Sequence, residues 1–409
     1  MKKVTFRASF SILVALAVLL GLCIYIVRYI NHGEEWALYF DSSTSGCTYT
    51  LSDRNGLPLA TMEHGGKYYN NDTLRRIACY HVVGDYAGNV GTGALQNFEK
   101  ELSGFNLITG VQEREDVDLP LTIDAELNII AYNALAGRNG VVLVSNYKTA
   151  EILCMVSAPS IDPLEPPEIL PDGAYINRSV SAAFTPGSIF KLVTLTAALE
   201  SIPDIYQRTF TCNGKITVNG VDVNCTGYHG TQTIEQALAN SCNCAFGELS
   251  LELGPDVLAE YAEKLGFTTS HKLDSITTAA GNFEKDVPGS PGLAWSGIGQ
   301  FNDLVCPYSM LRFVSAVAND GMLLEPSLLG PSDNEIRLLD KLTAEKVSAM
   351  MNYNVTYKYG ADSFPGLNIS AKTGTAEVGN DKENHAWFVG FLNDNEHPYA
   401  FVVLVENGG

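Results

Sequence analysis

The chain has 409 residues, of which 46% are hydrophobic, so it can bury a sizeable core, and its length favours two or three domains. Its 46 acidic residues outnumber the 26 basic ones, and the formal net charge is −20. A chain this acidic is a poor partner for nucleic acid, because phosphate binding needs clusters of Lys and Arg. It would also be repelled by anionic lipid, except where a segment inserts into the bilayer.

The N-terminus has the pattern of a membrane anchor. Lys2, Lys3 and Arg7 precede an uncharged apolar run at 10–27, and about 18 to 20 apolar residues suffice to span a bilayer as a helix. The basic flank predicts a cytoplasmic N-terminus. Bulky residues follow the run where a signal peptide would have small ones, so we expect an uncleaved anchor. The predicted divisions are a cytoplasmic tail at 1–9, a transmembrane anchor at 10–30 and an extracytoplasmic remainder.

The remainder divides into two predicted domains. Residues 31–115 predict a small loop-rich pedestal with a few short strands, because glycines recur and Asp53-Arg-Asn-Gly56 is a strong turn signal. Residues 116–409 predict an α+β domain with strands at both ends and helices between them. The predicted strand pairs are 140–144 with 151–156 and 386–392 with 399–405, and the predicted helices between them are 188–201, 234–253, 255–265, 307–319 and 343–353.

The first of three short motifs is Ser188-Ile-Phe-Lys191, which opens an apolar helical run. Helical spacing places Lys191 one turn after Ser188 on the same face. A serine becomes a nucleophile when a base takes its proton, and a desolvated lysine near a second cation can have a pKa low enough to do so. A second match, Ser145-Asn-Tyr-Lys148, falls in a predicted hairpin turn, where we expect an ordinary polar turn.

The second motif is Ser241-Cys-Asn243. If the backbone turns there, Ser241 could relay a proton between two lysines and Asn243 could pair with a substrate amide. Helix capping by both side chains is the alternative. A rival triplet, Ser332-Asp-Asn334, predicts a loop followed by a helix cap.

The third motif, Lys372-Thr373-Gly374, alternates in the manner of a strand. Thr373 and Thr375 share a face by the period of two, and Gly374 would let a substrate backbone approach closely. We expect Lys372 to supply a positive charge for a substrate carboxylate and to lower the pKa of Lys191. A solvent-facing strand lysine would be the default interpretation of this motif in isolation.

The chain has nine cysteines, whose pairing depends on whether they lie in a reducing or an oxidising compartment. Cys212 and Cys225 bracket a hairpin-like stretch, so a disulfide between them is plausible outside the cytoplasm, and two free thiols are the alternative. A zinc site using both of them with Cys242 and Cys244 is less favoured, because the spacing fits no usual finger. No H-E-x-x-H pattern supports a catalytic metal. The sequence therefore predicts neither a metal nor a cofactor.

Taken in order, S-x-x-K, S-x-N and K-T-G resemble the motif set of penicillin-binding proteins and class A β-lactamases. From the anchor onward the chain is similar to a class B penicillin-binding protein, a peptidoglycan D,D-transpeptidase. The resemblance favours Ser241 over Ser332. It implies a serine β-lactamase-like fold, an antiparallel sheet with helices, on a short dimerisation-type pedestal, and a C-terminal helix that this sequence does not show. Further matching stretches are Leu121-Thr-Ile-Asp124, Gly297-Ile-Gly-Gln300, Ala318-Asn-Asp-Gly321 and His385-Ala-Trp-Phe388.

The resemblance also implies the chemistry. Ser188 would attack the D-alanyl-D-alanine bond of a stem peptide, or a β-lactam, with Lys191 as base and Ser241 as proton shuttle. An amine of a neighbouring strand would complete the cross-link, alongside a glycosyltransferase partner. The implied substrate contacts are Asn243, Lys372, Thr373, Gly374 and Thr375, with an oxyanion hole from the backbone N–H groups of Ser188 and Thr375.

Two alternatives stay open at this point. One is a D,D-carboxypeptidase or β-lactamase, although no E-x-x-L-N stretch supplies the deacylating glutamate of class A enzymes. The other is a β-lactam sensor or a non-catalytic scaffold of cell-wall assembly, which the intact motifs disfavour.

Overall fold

The computed structural model describes residues 2–41, 48–63, 65–103, 105–106, 110–111, 117–379 and 382–409. A helix spans Lys2–Asp41. Among the described residues, its segment Phe10–Asn31 is the one stretch of helix long and apolar enough to cross a membrane. This segment has a mean hydropathy of 2.9, and none of it is buried against the rest of the protein. This single apolar N-terminal helix fits membrane anchoring and overlaps the predicted anchor at 10–30.

The pedestal is built around a four-stranded sheet in the order Gly66–Tyr69, Pro58–Glu63, Tyr49–Ser52 and Val117–Pro120. The last two strands pair in parallel, so the pedestal sheet receives a strand from beyond the boundary predicted at 115/116, which itself lies outside the described residues. The remaining pedestal elements are the helices Thr73–Val83, Ala94–Asn97 and Glu99–Ser103 and the short strands Phe105–Asn106 and Gly110–Val111.

A buried ion pair joins the pedestal to the larger domain. Arg76 lies on the helix Thr73–Val83, and its Nη2 lies 2.6 Å from Oδ2 of Asp162. Both side chains are only 7% exposed, so water screens this pair weakly.

The larger domain has a five-stranded antiparallel sheet, which confirms both predicted strand pairs. Its order is Ile369–Ala376, His385–Leu392, Tyr399–Val405, Gly140–Asn146 and Ile152–Ala158. The buried helix Pro307–Ala318 contacts the three inner strands. The helix Ala125–Ala134 packs on Ile152–Ala158 through a separate apolar cluster. The sheet thus forms from both ends of the domain, and the strand that carries K-T-G lies at its edge.

The middle of the domain supplies the helices, as the sequence predicts, but one predicted helix is broken. The helix expected at 234–253 ends at Ala239, and the next begins at Asn243, because Ser241 adopts a φ of 51°. The predicted break at 254 is present as a kink at Gly254. The helices are Arg178–Ser181, Lys191–Ser201, Ile234–Ala239, Asn243–Lys264, Pro291–Ser296, Pro307–Ala318 and Lys341–Tyr353, with 3-10 turns at Gly187–Ile189, Ile205–Gln207 and Ala361–Ser363 and a π-helical turn at Asn354–Tyr359.

Short two-stranded sheets lie among these helices. Lys215–Val218 and Val221–Asn224 form the hairpin that the sequence predicts between Cys212 and Cys225. The segment after Ser332-Asp-Asn334 is a strand, so the helix cap predicted there is wrong. The other pairs are Thr209–Cys212 with Gly230–Thr233, Lys272–Leu273 with Ile276–Thr277, and Met322–Leu324 with Glu335–Arg337.

Candidate active site

Ser188 lies in the 3-10 turn Gly187–Ile189, directly before the helix Lys191–Ser201. Gly187 has a φ of 55°, a conformation that glycine adopts without strain, and its N–H donates to the carbonyl of Gly299 at 2.8 Å. A Cβ on Gly187 would lie 2.3 Å from the carbonyl oxygen of Thr375. The turn Gly187–Ile189, called the nucleophile turn after the role predicted for Ser188, therefore lies directly against the K-T-G strand, with no room for a side chain between them.

Lys191 is fully buried, and its Nζ lies 3.0 Å from Ser188 Oγ. The same Nζ lies 2.7 Å from both the carbonyl oxygen of Ser241 and Oδ1 of Asn243. In a neutral amine, two N–H bonds serve these acceptors and the lone pair is left for the Ser188 hydroxyl. Burial lowers the pKa of Lys191 to about 7. Desolvation is thus the main cause of the low pKa, and the charge of Lys372, which the sequence analysis expected to act here, is not the leading one.

The second motif forms a turn that aims two side chains at one amine. Because Ser241 is in the left-handed region, Ser241 and Asn243 both reach Lys191 instead of diverging along a helix. Ser241 Oγ lies 3.2 Å from Nζ of Lys191 and 3.0 Å from Nζ of Lys372. Asn243 Nδ2 donates to the carbonyl of Asn224 at 2.8 Å. A single hydroxyl therefore bridges two amines, the arrangement that a proton relay needs.

Lys372 is also fully buried, and its Nζ donates to the carbonyl of Thr373 at 2.8 Å. Burial, and next the charge of Lys191, hold the pKa of Lys372 well below its usual range. Gly374 faces the nucleophile turn, since a Cβ there would lie 2.9 Å from Cγ2 of Ile189 and 3.0 Å from the carbonyl oxygen of Pro186. The glycine is therefore needed for packing against that turn, whereas the sequence analysis assigned it to substrate approach.

The free edge of the K-T-G strand faces the cleft. The N–H of Thr373 donates out of the sheet to Oη of Tyr359 at 3.0 Å. By the period of two, the N–H of Thr375 points to the same free edge. Both threonine side chains are exposed, which leaves hydroxyls and a backbone donor on one side of Ser188.

These elements enclose an open cleft of about 290 Å³. The sequence analysis did not single out Trp295, Gln300 or Tyr359 as site residues. The first two lie in or beside the stretch 297–300 that carried part of the family resemblance, and Tyr359 lies in a π-helical turn that no motif marks. The lining residues are Ser188, Thr226, Ser241, Asn243, Trp295, Ile298, Gln300, Thr373, Thr375, Glu377 and Asn384.

The profile of the penicillin-binding protein transpeptidase domain matches residues 140–409, which include all three motifs. The chain belongs to this family. Peptidoglycan D,D-transpeptidase PbpA of Mycolicibacterium smegmatis is 31% identical over 308 residues, 66% of this chain and 62% of the relative. Stage V sporulation protein D of Bacillus subtilis is 28% identical over 325 residues, 72% of this chain and 50% of the relative. These relatives place the chain among the class B penicillin-binding proteins, and it spans less than two thirds of the length of either.

Solved structures confirm the fold of this penicillin-binding protein. The D,D-transpeptidase domain of a peptidoglycan glycosyltransferase from Eggerthella lenta matches with a TM-score of 0.76 and 26% identity, covering 89% of this chain and 95% of that one. Penicillin-binding protein A from M. tuberculosis, solved as a ceftriaxone acyl-enzyme complex, matches with a TM-score of 0.76 and 23% identity, covering 90% and 94%.

The rival motif residues lie elsewhere in this penicillin-binding protein. Ser145 is buried in the strand Gly140–Asn146, where its Oγ lies 3.3 Å from Oγ of Ser315. Lys148 Nζ donates to Oδ1 of Asn319 at 2.7 Å. The prediction of a polar turn is right for Lys148 but wrong for Ser145, which belongs to the strand because the alternation of buried and half-buried residues continues through it. Ser332 accepts from the N–H of Asn334 within its own loop, at 3.2 Å.

The described cysteines near the S-x-N motif lie close together in space. Cys212 and Cys225 are both free thiols in the structure, so their disulfide stays a prediction. The Sγ of Cys212 lies 3.4 Å from that of Cys244, and the Sγ of Cys225 lies 3.8 Å from that of Cys242. The hairpin brings both cysteines to the start of the helix Asn243–Lys264, beside the S-x-N motif.

Proposed function

We propose that this protein is a serine-type peptidoglycan D,D-transpeptidase, which cross-links stem peptides through an acyl-enzyme on Ser188 and is inhibited by β-lactams. The observation that carries the proposal is the 3.0 Å separation of Lys191 Nζ and Ser188 Oγ, with the remaining N–H bonds of that amine held by other acceptors. Membership of the transpeptidase family and the names of the relatives support the reaction class.

In the acylation step, neutral Lys191 accepts the proton of Ser188 as Oγ attacks the carbonyl carbon of the D-alanyl-D-alanine bond. The oxyanion would accept hydrogen bonds from the backbone N–H groups of Ser188 and Thr375, since both residues line the cleft. The proton then passes through Ser241 Oγ to the departing amine, and D-alanine leaves. The bridging position of Ser241 between the two lysines supports this route.

The exposure of each side chain decides which groups can contact the substrate. Lys372 is fully buried, so the terminal carboxylate would bond to the hydroxyls of Thr373 and Thr375, with Lys372 acting through its charge and through Ser241. Asn243 uses Oδ1 for Lys191 and one N–H for Asn224. Its second N–H remains for a substrate amide.

The second half of the reaction needs an acceptor amine and a supply of glycan strands. The amine of a neighbouring stem peptide would attack the acyl-enzyme carbonyl, form the cross-link and release Ser188. With the N-terminus in the cytoplasm, the helix at Phe10–Asn31 would hold the catalytic domain on the outer face of the membrane. A glycosyltransferase of the cell-wall machinery is the proposed partner, because cross-linking consumes the strands that such an enzyme makes.

The test is labelling of the full chain in detergent with a fluorescent penicillin. We expect one adduct mass on the peptide that contains Ser188, release of D-alanine from stem peptides, and a cross-linked product. Ser188→Ala should abolish all three, whereas the matched control Ser145→Ala should keep them once circular dichroism confirms that it folds. Removal of a nucleophile that acts with its base costs several orders of magnitude in rate.

Other outcomes would contradict this proposal. An adduct that survives Ser188→Ala overturns the assignment of the nucleophile. Release of D-alanine without cross-linking in the presence of acceptor peptides indicates a carboxypeptidase. Labelling without any release of D-alanine indicates a β-lactam sensor or scaffold.

A further inference from the structure

Four side chains meet behind the S-x-N motif, and the proposed reaction uses none of them. Cys212 ends the strand Thr209–Cys212, Cys225 follows the hairpin strand Val221–Asn224, His229 precedes the strand Gly230–Thr233, and Cys242 caps the helix Asn243–Lys264. One ligand atom from each side chain lies within 4.8 Å of all the others. Four elements that are separate in sequence thus converge on one point.

The separations of Cys225 Sγ from two of its neighbours match those around a tetrahedral zinc ion. With Zn–S bonds of about 2.3 Å and Zn–N bonds of about 2.0 to 2.1 Å, two sulfurs lie about 3.8 Å apart and a sulfur lies about 3.6 Å from a ring nitrogen. Here Cys225 Sγ lies 3.8 Å from Cys242 Sγ and 3.6 Å from His229 Nδ1. Disulfide formation would use the thiols in pairs and would leave the approach of the histidine unexplained.

The surroundings of the four groups also fit a metal centre. The backbone N–H of Asn243 points at Cys225 Sγ, at 3.3 Å, the kind of outer contact that orients a ligating thiolate. Cys212 and Cys242 are buried, whereas Cys225 and His229 are half-buried, so an ion can enter from the hairpin side. A set of three sulfurs and one imidazole is typical of structural zinc sites.

We propose that Cys212, Cys225, His229 and Cys242 bind one structural zinc ion. Binding releases the three thiol protons and forms three Zn–S bonds and one Zn–N bond. Cys242 stands between Ser241 and Asn243, both of which contact Lys191. The ion would therefore clamp the β-hairpin to the turn that positions the proton relay, so the four ligands act as positioning residues.

The test is the zinc content of the full chain, purified from membranes in detergent without chelator or added reductant. Plasma mass spectrometry should find one zinc per wild-type chain. His229→Gln and Cys225→Ser should lower the occupancy at least tenfold. Cys244→Ser is the matched control: its sulfur lies 3.4 Å from that of Cys212, yet it stands outside the group of four, so this variant should keep its zinc.

A second measurement guards against variants that fail to fold. Wild-type chain stripped with a chelator and loaded with Co²⁺ should show thiolate-to-cobalt absorption, and Zn²⁺ should displace it. Stripping should also slow penicillin labelling, and zinc should restore it, because the ion holds Ser241 and Asn243 in place.

Two results would overturn the proposal. The first is a zinc-free wild-type chain that shows no cobalt absorption and whose non-reducing peptide map contains disulfides among these cysteines, including the predicted Cys212–Cys225 bond. The second is a folded His229→Gln variant that keeps its zinc while Cys244→Ser loses it, because the set of four ligands would then be wrong.

Discussion

The pH dependence of acylation tests the central feature of the site, a lysine neutralised by burial. With a pKa of about 7, Lys191 is about 9% neutral at pH 6 and about 91% neutral at pH 8. In the proposed mechanism the neutral amine is the active base, so acylation should be lost as the pH falls through 7. We expect the rate to rise about tenfold between pH 6 and pH 8 and to level off above that. An exposed lysine would give about a hundredfold rise that continues past pH 9.

The assay is the second-order rate constant for labelling by a fluorescent penicillin at constant ionic strength, with circular dichroism at each pH. Because Lys191 and Lys372 both contact Ser241, the midpoint of the pH profile is an apparent pKa of the two lysines together. Lys148→Ala, in the rival motif, is the matched control and should leave the profile unchanged. A flat profile from pH 6 to pH 8, or a rise without a plateau, would refute the assignment of Lys191 as a base neutralised by burial.

Two further predictions follow from the described contacts and a third from the sequence. Gly187→Ala should slow penicillin labelling at least tenfold, because the new methyl group would lie 2.3 Å from the carbonyl oxygen of Thr375. The control Gly56→Ala, at a similar φ of 76° but with nothing within 4 Å, should lower only the free energy of unfolding, by about 1 kcal/mol. Arg76→Ala should lower the free energy of unfolding by about 3 to 5 kcal/mol in urea titrations, because it leaves the buried carboxylate of Asp162 without its cation. The control Lys285→Ala removes an exposed ion pair with Asp256 and should lower that free energy by less than about 1 kcal/mol. The acyl-enzyme should persist for many minutes, because no E-x-x-L-N stretch supplies a deacylating glutamate, and rapid turnover of a chromogenic cephalosporin would move the protein to the β-lactamases.

Local pattern predicted much of this fold. Both strand pairs of the catalytic sheet, the hairpin after Cys212 and the spacing of Ser188 and Lys191 follow from periods of two and 3.6 residues, which the sequence displays directly. The break at Gly254 followed from a glycine before a proline in a helical run.

The misses concern features that depend on distant parts of the chain. Nothing local marks Ser241 as left-handed, because serine is not a usual residue for that conformation and only the contacts of Lys191 and Lys372 account for it. The spacing of Cys212 and Cys225 along the hairpin, on which the predicted disulfide rests, also could not show that His229 lies beside Cys225. The packing role of Gly374 was invisible because the nucleophile turn meets it only in the folded chain.

The order of the catalytic sheet sets when reactivity can arise during synthesis. Its central strand, Tyr399–Val405, lies between His385–Leu392 and Gly140–Asn146, and Val405 pairs with Gly140. These partners stand at opposite ends of the family domain, so closure of the sheet is a long-range event that is costly in chain entropy and slow to form. The helix behind Ser188 can form early, yet the nucleophile turn has no edge strand to dock on until Ile369–Ala376 has joined the sheet. A chain still being synthesised would therefore carry Ser188 without its neighbouring edge strand, and the reactivity proposed for this serine would arise only once that strand has joined the sheet.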